Sequence, residues 1–244
     1  MHNAALAAVG LADWRYLRLP LPPDLFEETA RALAAAGFRG VNVTIPHKEA
    51  ALAVADEASD AARAIGAANT LTFEDGAIKA DNTDAPGLLA ALGEPVAGRR
   101  ALVLGTGGSG RAAAWALARA GAEVAVWNRT PERARAVASA VGVRAVAAPE
   151  PAEIVVNATS VGLQDPEITF KALPIRADEL TAGSLVVDLV YRVGGTRFLE
   201  AARSRGARVV DGLEVLVAQG AASFERWTGR DAPREAMRQA VIIP

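Results

Sequence analysis

The chain has 244 residues, a formal net charge of −2 and an isoelectric point near 5.8, room for one large or two small domains and no basic excess that would mark a nucleic-acid partner. Apolar residues make up 51% and charged residues 22%, a globular balance, and no uninterrupted apolar run reaches the ~18 residues of a membrane span. Cysteine is absent and only His2 and His47 could supply imidazole, so disulfides and thiolate metal sites are excluded and no metal is expected.

The opening residues lack the basic region of a secretory signal, so a cytoplasmic location is the expectation. Apolar runs then alternate with helical patterns, the α/β signature. The first third reads as a helix over about Asn3–Val9, a strand over Trp14–Leu19, a helix over Asp24–Ala36 and a strand over Gly40–Thr44. Prolines in "LPLPPDL" open the second helix. Helices follow near Lys48–Asp56 and Asp60–Ile65, and two short strands, Thr70–Phe73 and Ile78–Ala80, flank the turn residues Glu74–Gly76. A helix from Asp84 to Leu92 stops at Gly93.

The stretch from Gly93 to Arg100 marks a domain boundary. A first α/β domain takes residues 1–95 and a second takes 96–212, with the helices of 213–244 packing back on the first. The second domain carries strands at Ala101–Leu104, Glu123–Trp127, Glu153–Val156, Ser184–Asp188 and Arg208–Val210, with helices from Ser109 and Pro131. Two helices fill Leu213–Ile243.

The strongest local signal is G-x-G-x-x-G at Gly105, Gly107 and Gly110, directly after an apolar strand and at the start of a helix. The three glycines serve a tight turn, close backbone approach to a pyrophosphate and close helix–strand packing. Thr106, Gly108 and Ser109 complete a loop whose helix N-terminus favours phosphate. NAD sites carry an acid at the end of the next strand, about 20 residues on. Here that strand ends in Asn128, Arg129 and Thr130, with Arg133 one helical turn later. A guanidinium binds a 2′-phosphate that an acid would repel, so the expected cofactor is NADP. The alternative is a solvated arginine at a helix start.

Lysine is scarce: Lys48, Lys79 and Lys171 stand against 23 arginines. In "GVNVTIPHKEA", Pro46 suits a first helical position, which would put Lys48 near the third. A cation there faces the positive end of the helix dipole, a field that favours release of its proton. Arginine cannot release one, so a position needing acid–base work must keep lysine. The alternative is a surface lysine on a flexible stem. Asp84, in "KADNTDAPGLL", offers a partner, because Asp81 and Thr83 compete for the helix-capping role and leave Asp84 free of it.

Eight motifs in order, "VNVTIPHK", "GAANTL", "DNTDAPG", "LGTGGSGRAA", "WNRTPERA", "NATSVGL", "DLVY" and "DGLEVLVAQGAASFERWTG", make the chain resemble the shikimate dehydrogenase family over essentially its whole length. The resemblance implies a substrate domain and a Rossmann-type NADP domain with a cleft between them, and reversible reduction of 3-dehydroshikimate to shikimate in aromatic amino-acid biosynthesis. Lys48 and Asp84 match the family's proton-transfer pair. Thr44, Asn69, Tyr191 and Gln219 match substrate-contacting positions. The loop Asn157–Ser160, with Thr159, matches the nicotinamide side, and Leu189 and Gly212 are expected beside the cofactor. The expected partner is the small-molecule substrate, with no nucleic acid and no membrane, and a monomer or homodimer as the assembly.

Val193 and Val215 stand where the family usually has proline and methionine. The larger departure is at the front. The family begins with a strand and a Ser-x-Ser loop ahead of "MHN", and this chain starts at that methionine. The serines hold the substrate's carboxylate. Losing two bonds of roughly 1.5–3 kcal/mol each weakens transition-state binding by on the order of 10² to 10⁴, and the neighbouring strand becomes an unpaired edge. A start lying further upstream is the favoured explanation. The alternatives are a quinate or quinate/shikimate dehydrogenase using NAD, and a weak or silent NADP-binding relative.

Overall fold

The structure is a computed structural model and describes residues 1–242. In chain order it forms α1 (His2–Ala8), α2 (Phe26–Ala35), β1 (Gly40–Asn42), α3 (Lys48–Ala53), β2 (Glu57–Ala58), α4 (Asp60–Ile65), β3 (Thr70–Glu74), β4 (Ala77–Asp81) and α5 (Asp84–Leu92). Then come β5 (Arg100–Leu104), α6 (Gly108–Arg119), β6 (Glu123–Trp127), α7 (Pro131–Val141), β7 (Arg144–Ala145), β8 (Ile154–Asn157), α8 (Thr169–Ala172), β9 (Leu185–Asp188), α9 (Arg197–Ser204), β10 (Arg208–Asp211), α10 (Gly212–Thr228) and α11 (Arg234–Ile242). Ile243, expected in the last helix, lies outside the described residues.

Two compact units result: Met1–Gly87 together with the chain from Val217 onward, and Leu88–Leu216. The divisions fall inside α5 and α10, whereas the sequence places them at 95/96 and 212/213.

The first unit holds a four-stranded sheet in the order β1-β3-β4-β2. β1–β3 and β3–β4 are antiparallel and β2–β4 is parallel. Asp75 (φ 51°) and Gly76 (φ 79°) are both left-handed, the geometry that closes a two-residue hairpin between β3 and β4. α4 starts where the Ser59 hydroxyl accepts from the Ala62 N–H and stops at left-handed Gly66. Phe26, Ala51, Val54, Leu71, Phe73 and Ile78 share one core.

The strand expected over Trp14–Leu19 does not form. Extended backbone becomes a strand only when a neighbour takes its N–H and C=O groups. This segment is held by side chains instead: Asn3 bonds the N–H and C=O of Tyr16, the Tyr16 hydroxyl donates to Asn42 Oδ1 (3.1 Å), and the His47 ring bonds Leu21 O (2.9 Å). β1 pairs only with β3 among the described residues, which leaves its other edge open as expected.

The second unit is a six-stranded parallel sheet in the order β10-β9-β8-β5-β6-β7, the order of a Rossmann fold. Both faces are covered, so its strands are apolar throughout. Ala101, Val103, Ile154, Val156, Leu185 and Val187 enter one core, while Leu102, Leu104, Val155 and Val186 enter the other. The short β7 and the helices α8 and α9 have no counterpart in the sequence reading. α9 carries its own start signal, Thr196, whose hydroxyl accepts from the Leu199 N–H.

Candidate active site

α3 begins at Lys48 itself, not two residues earlier. Pro46 lies in a turn in which Thr44 O accepts from the His47 N–H at 2.9 Å, so Lys48 is the first helical residue rather than the third. It still sits in the first turn of a helix, where the dipole field is felt.

Asp84 opens α5, and the capping group there is neither Asp81 nor Thr83. Asn82 Oδ1 accepts from the Ala85 N–H at 3.2 Å, while Asp81 is engaged by Ser59, Asn82 N and Arg226. Asp84 is therefore available, and Lys48 Nζ donates to its Oδ2 at 2.5 Å. The two side chains are only 9% and 17% exposed, so the pair is largely screened from water.

Asn69 organises the rest. Its Oδ1 accepts from the Thr83 N–H (2.7 Å) and from the hydroxyls of Thr83 (3.1 Å) and Thr70 (3.2 Å). A backbone N–H can only donate, so the amide is turned with its Nδ2 toward Asp84 Oδ1 (2.9 Å) and Gln219 Oε1 (3.1 Å). Gln219 reaches this cluster because α10 passes very close to α5: a Cβ on Gly87 would lie 2.8 Å from the backbone of Gln219. Four of the expected site residues, Lys48, Asn69, Asp84 and Gln219, thus form one cluster inside the first unit. Thr44 stands at the exit of β1 with an exposed side chain. Tyr191 belongs to the second unit and is 51% exposed. Thr70 and Thr83, which hold the Asn69 amide, went unnoticed as supports; each follows an asparagine, in "ANT" and "DNT".

In the second unit the expected cofactor residues gather at the carboxyl ends of parallel strands, where α/β sheets bind ligands. Gly105–Gly110 follows β5 into α6, Asn128–Arg133 follows β6, Thr159 follows β8, Leu189 follows β9 and Gly212 follows β10. Gly105 has φ 99°, and a Cβ there would lie 2.9 Å from Thr159 Cγ2; a Cβ on Gly110 would strike Gly105 O. These two glycines are required by the fold. Gly107 is different, because a Cβ there meets nothing within 4 Å. Its open side faces no protein atom, and the N-terminus of α6 has no side-chain cap. The Thr106 hydroxyl in the same loop is buried without a hydrogen-bond partner. Free N–H groups, open space and an orphaned hydroxyl fit a dinucleotide pyrophosphate. Arg129 and Arg133 are exposed, and neither joins an ion pair among the described residues.

Comparison with known proteins agrees with this arrangement. Three family profiles match: the shikimate dehydrogenase substrate binding domain over residues 1–71, shikimate/quinate 5-dehydrogenase over 88–165, and the shikimate 5'-dehydrogenase C-terminal domain over 212–242. A relative from Thermus thermophilus named shikimate dehydrogenase (NADP(+)) is 49% identical over 237 residues, 94% of this chain and 86% of that protein. The crystal structure of a Thermus thermophilus shikimate 5-dehydrogenase with NADP(H) and shikimate superposes with a TM-score of 0.89 at 44% identity, covering 98% of this chain and 91% of that one. A 5-ketofructose reductase from a Gluconobacter strain also superposes, at 32% identity and a TM-score of 0.86, over 98% of this chain and 90% of that one. By sequence and by fold, the chain belongs to the shikimate dehydrogenase family.

Proposed function

We propose that this protein reversibly reduces 3-dehydroshikimate to shikimate with NADPH. The observation that carries this is the 2.5 Å contact between Lys48 Nζ and Asp84 Oδ2, buried within the Asn69–Gln219 cluster. NADP, when bound, supplies or accepts the hydride. Lys48 moves a proton between its Nζ and the substrate's keto or hydroxyl oxygen, general acid–base work worth typically about 10² to 10⁴ in rate. Asp84 orients that amine and assists the proton transfer. Asn69 fixes Asp84 with one N–H and points the other at Gln219, so that both amides and Thr44 offer polar contacts to a polyhydroxylated ring. Tyr191 adds a contact from the second unit. There the glycine loop holds the pyrophosphate, Arg129 and Arg133 hold the 2′-phosphate with Asn128 and Thr130, and Thr159, Leu189 and Gly212 line the nicotinamide side.

Two other readings remain distinct. Quinate oxidation with NAD is disfavoured by Arg129 and Arg133, which suit a phosphate and not a bare ribose hydroxyl. A silent NADP binder is favoured by the open β1 edge, next to which the family's carboxylate-holding serines would belong. The deciding experiment follows pyridine-nucleotide absorbance with shikimate or quinate and with NADP or NAD. Shikimate-dependent NADP reduction is the expected result. Faster turnover of quinate with NAD would replace the substrate assignment, and NADP binding without turnover of either would establish the silent form.

A further inference from the structure

Asp188 ends β9 with only 1% of its surface exposed, and it joins no ion pair among the described residues. Its three partners are neutral and sit on three different segments. Oδ1 accepts from Asn157 Nδ2 (2.9 Å) and from the Val190 N–H (3.1 Å), and Oδ2 accepts from the Thr196 hydroxyl (2.6 Å). Because a carboxylate here can only accept, the Asn157 amide is turned with its Oδ1 the other way. That oxygen takes the Thr159 N–H (3.1 Å) and the Thr159 hydroxyl (2.7 Å), and the Thr159 oxygen takes the Val161 N–H (3.1 Å). The loop after β8 is thus tied back, bond by bond, to one carboxyl group. It also lies hard against the glycine turn, where a Cβ on Gly105 would stand 3.0 Å from the Ala158 backbone. On the other side, a Cβ on Gly212 would lie 2.7 Å from Asp188 O.

We propose that Asp188 is a positioning residue for the cofactor. Through Asn157 and Thr159 it sets the loop that abuts the Gly105 turn, and through Val190 it sets the segment carrying Leu189. It touches neither substrate nor cofactor itself. Its burial is unfavourable for the fold, which supports a task beyond packing. Desolvation pushes its carboxyl up to about 6, and Asp211, in register with it on β10, adds like charge. At neutral pH the unit therefore carries an ionised group that it would be more stable without, as functional sites often do.

This inference rests on the reading that the carboxyl ends of the parallel sheet bind NADP. The test compares Asp188→Ala, Asp188→Asn and Asn157→Ala by NADP titration, KM for NADP and amide hydrogen exchange, with Arg129→Asp as an independent probe of the cofactor site. Asp188→Ala is expected to weaken NADP roughly ten- to hundredfold and to speed exchange at Thr159, Val161 and Val190 while the β8 and β9 amides stay protected. Asp188→Asn keeps an oxygen for both Asn157 and Val190 and should restore most of the affinity. Asn157→Ala cuts only the Thr159 arm, and it carries the test if Asp188→Ala does not fold. Parent-like NADP affinity in both alanine variants, with Arg129→Asp impaired, overturns the positioning role alone. If Arg129→Asp is parent-like as well, the cofactor site is misplaced and the proposal falls with it. Equal impairment of Asp188→Asn and Asp188→Ala, in step with melting temperature, would make the residue structural only and also overturn it.

Discussion

Lys48 and Asp84 are both among the most enclosed charged groups of the first unit, and their roles separate under substitution. Lys48→Ala is expected to lower kcat by about 10² to 10⁴ with NADP affinity unchanged. Lys48→Arg should not rescue it, because a guanidinium keeps the charge but does not release a proton. Stopped-flow or steady-state turnover of either variant near the parent rate would remove Lys48 from proton transfer. Arg129→Asp should weaken NADPH roughly ten- to hundredfold, the worth of a charge-assisted bond, and leave NADH nearly untouched. Equal losses for both cofactors would refute a 2′-phosphate role. Asp188 also gives the protein a pH signature. Its carboxyl lies at about 6 in the fold against an ordinary value of 3.8, so the folded state holds its proton longer than the unfolded chain. Its favourable contribution is therefore present below about pH 4 and is lost as pH rises through about 6, a change of about 3 kcal/mol. Chemical denaturation at several pH values should show that slope in the parent and a flatter one in Asp188→Asn.

The helices that carry the site act through close approach. α5 and α10 approach closely where Gly87 leaves no room for a side chain beside Gln219. Gly87→Ala would push α10 away from Asn69, and a displacement of this kind costs roughly ten- to hundredfold in catalysis. The expected result is a raised KM for shikimate and a lowered kcat with NADP affinity intact; parent-like kinetics would mean that Gln219 does not contact substrate. Element identity was largely legible beforehand. The apolar runs of β5, β6, β8 and β9 stand out because both faces of their sheet are buried, and the Asp84–Leu92 helix was readable to the residue. The short pieces were not. β7 is two residues long, too few to show a period, and Trp14–Leu19 has strand composition but no backbone neighbour.

The two units give the whole molecule a testable division of labour. A ligand that binds one folded unit stabilises that unit, by about 2.7 kcal/mol at a hundredfold excess over Kd. Saturating NADP should therefore slow hydrogen exchange across Leu88–Leu216 and leave the β3 and β4 amides of the first unit as they were. Protection confined to the first unit would reverse the assignment. What the residues determine alone is what depends on neighbours along the chain: the alternation of strands and helices, the Gly105–Gly110 loop, the arginines that take the place of an acid after β6, and the family. Periodicity and turn chemistry are local, so they can be read from one segment at a time. The tertiary structure decided what depends on distance through space. Lys48 meets Asp84 across 36 positions and Asn69 meets Gln219 across 150, and Asp188 ties together three segments that have no sequence pattern in common. Spacing along a chain carries no measure of such distances, because they are set by how the elements pack around a shared core.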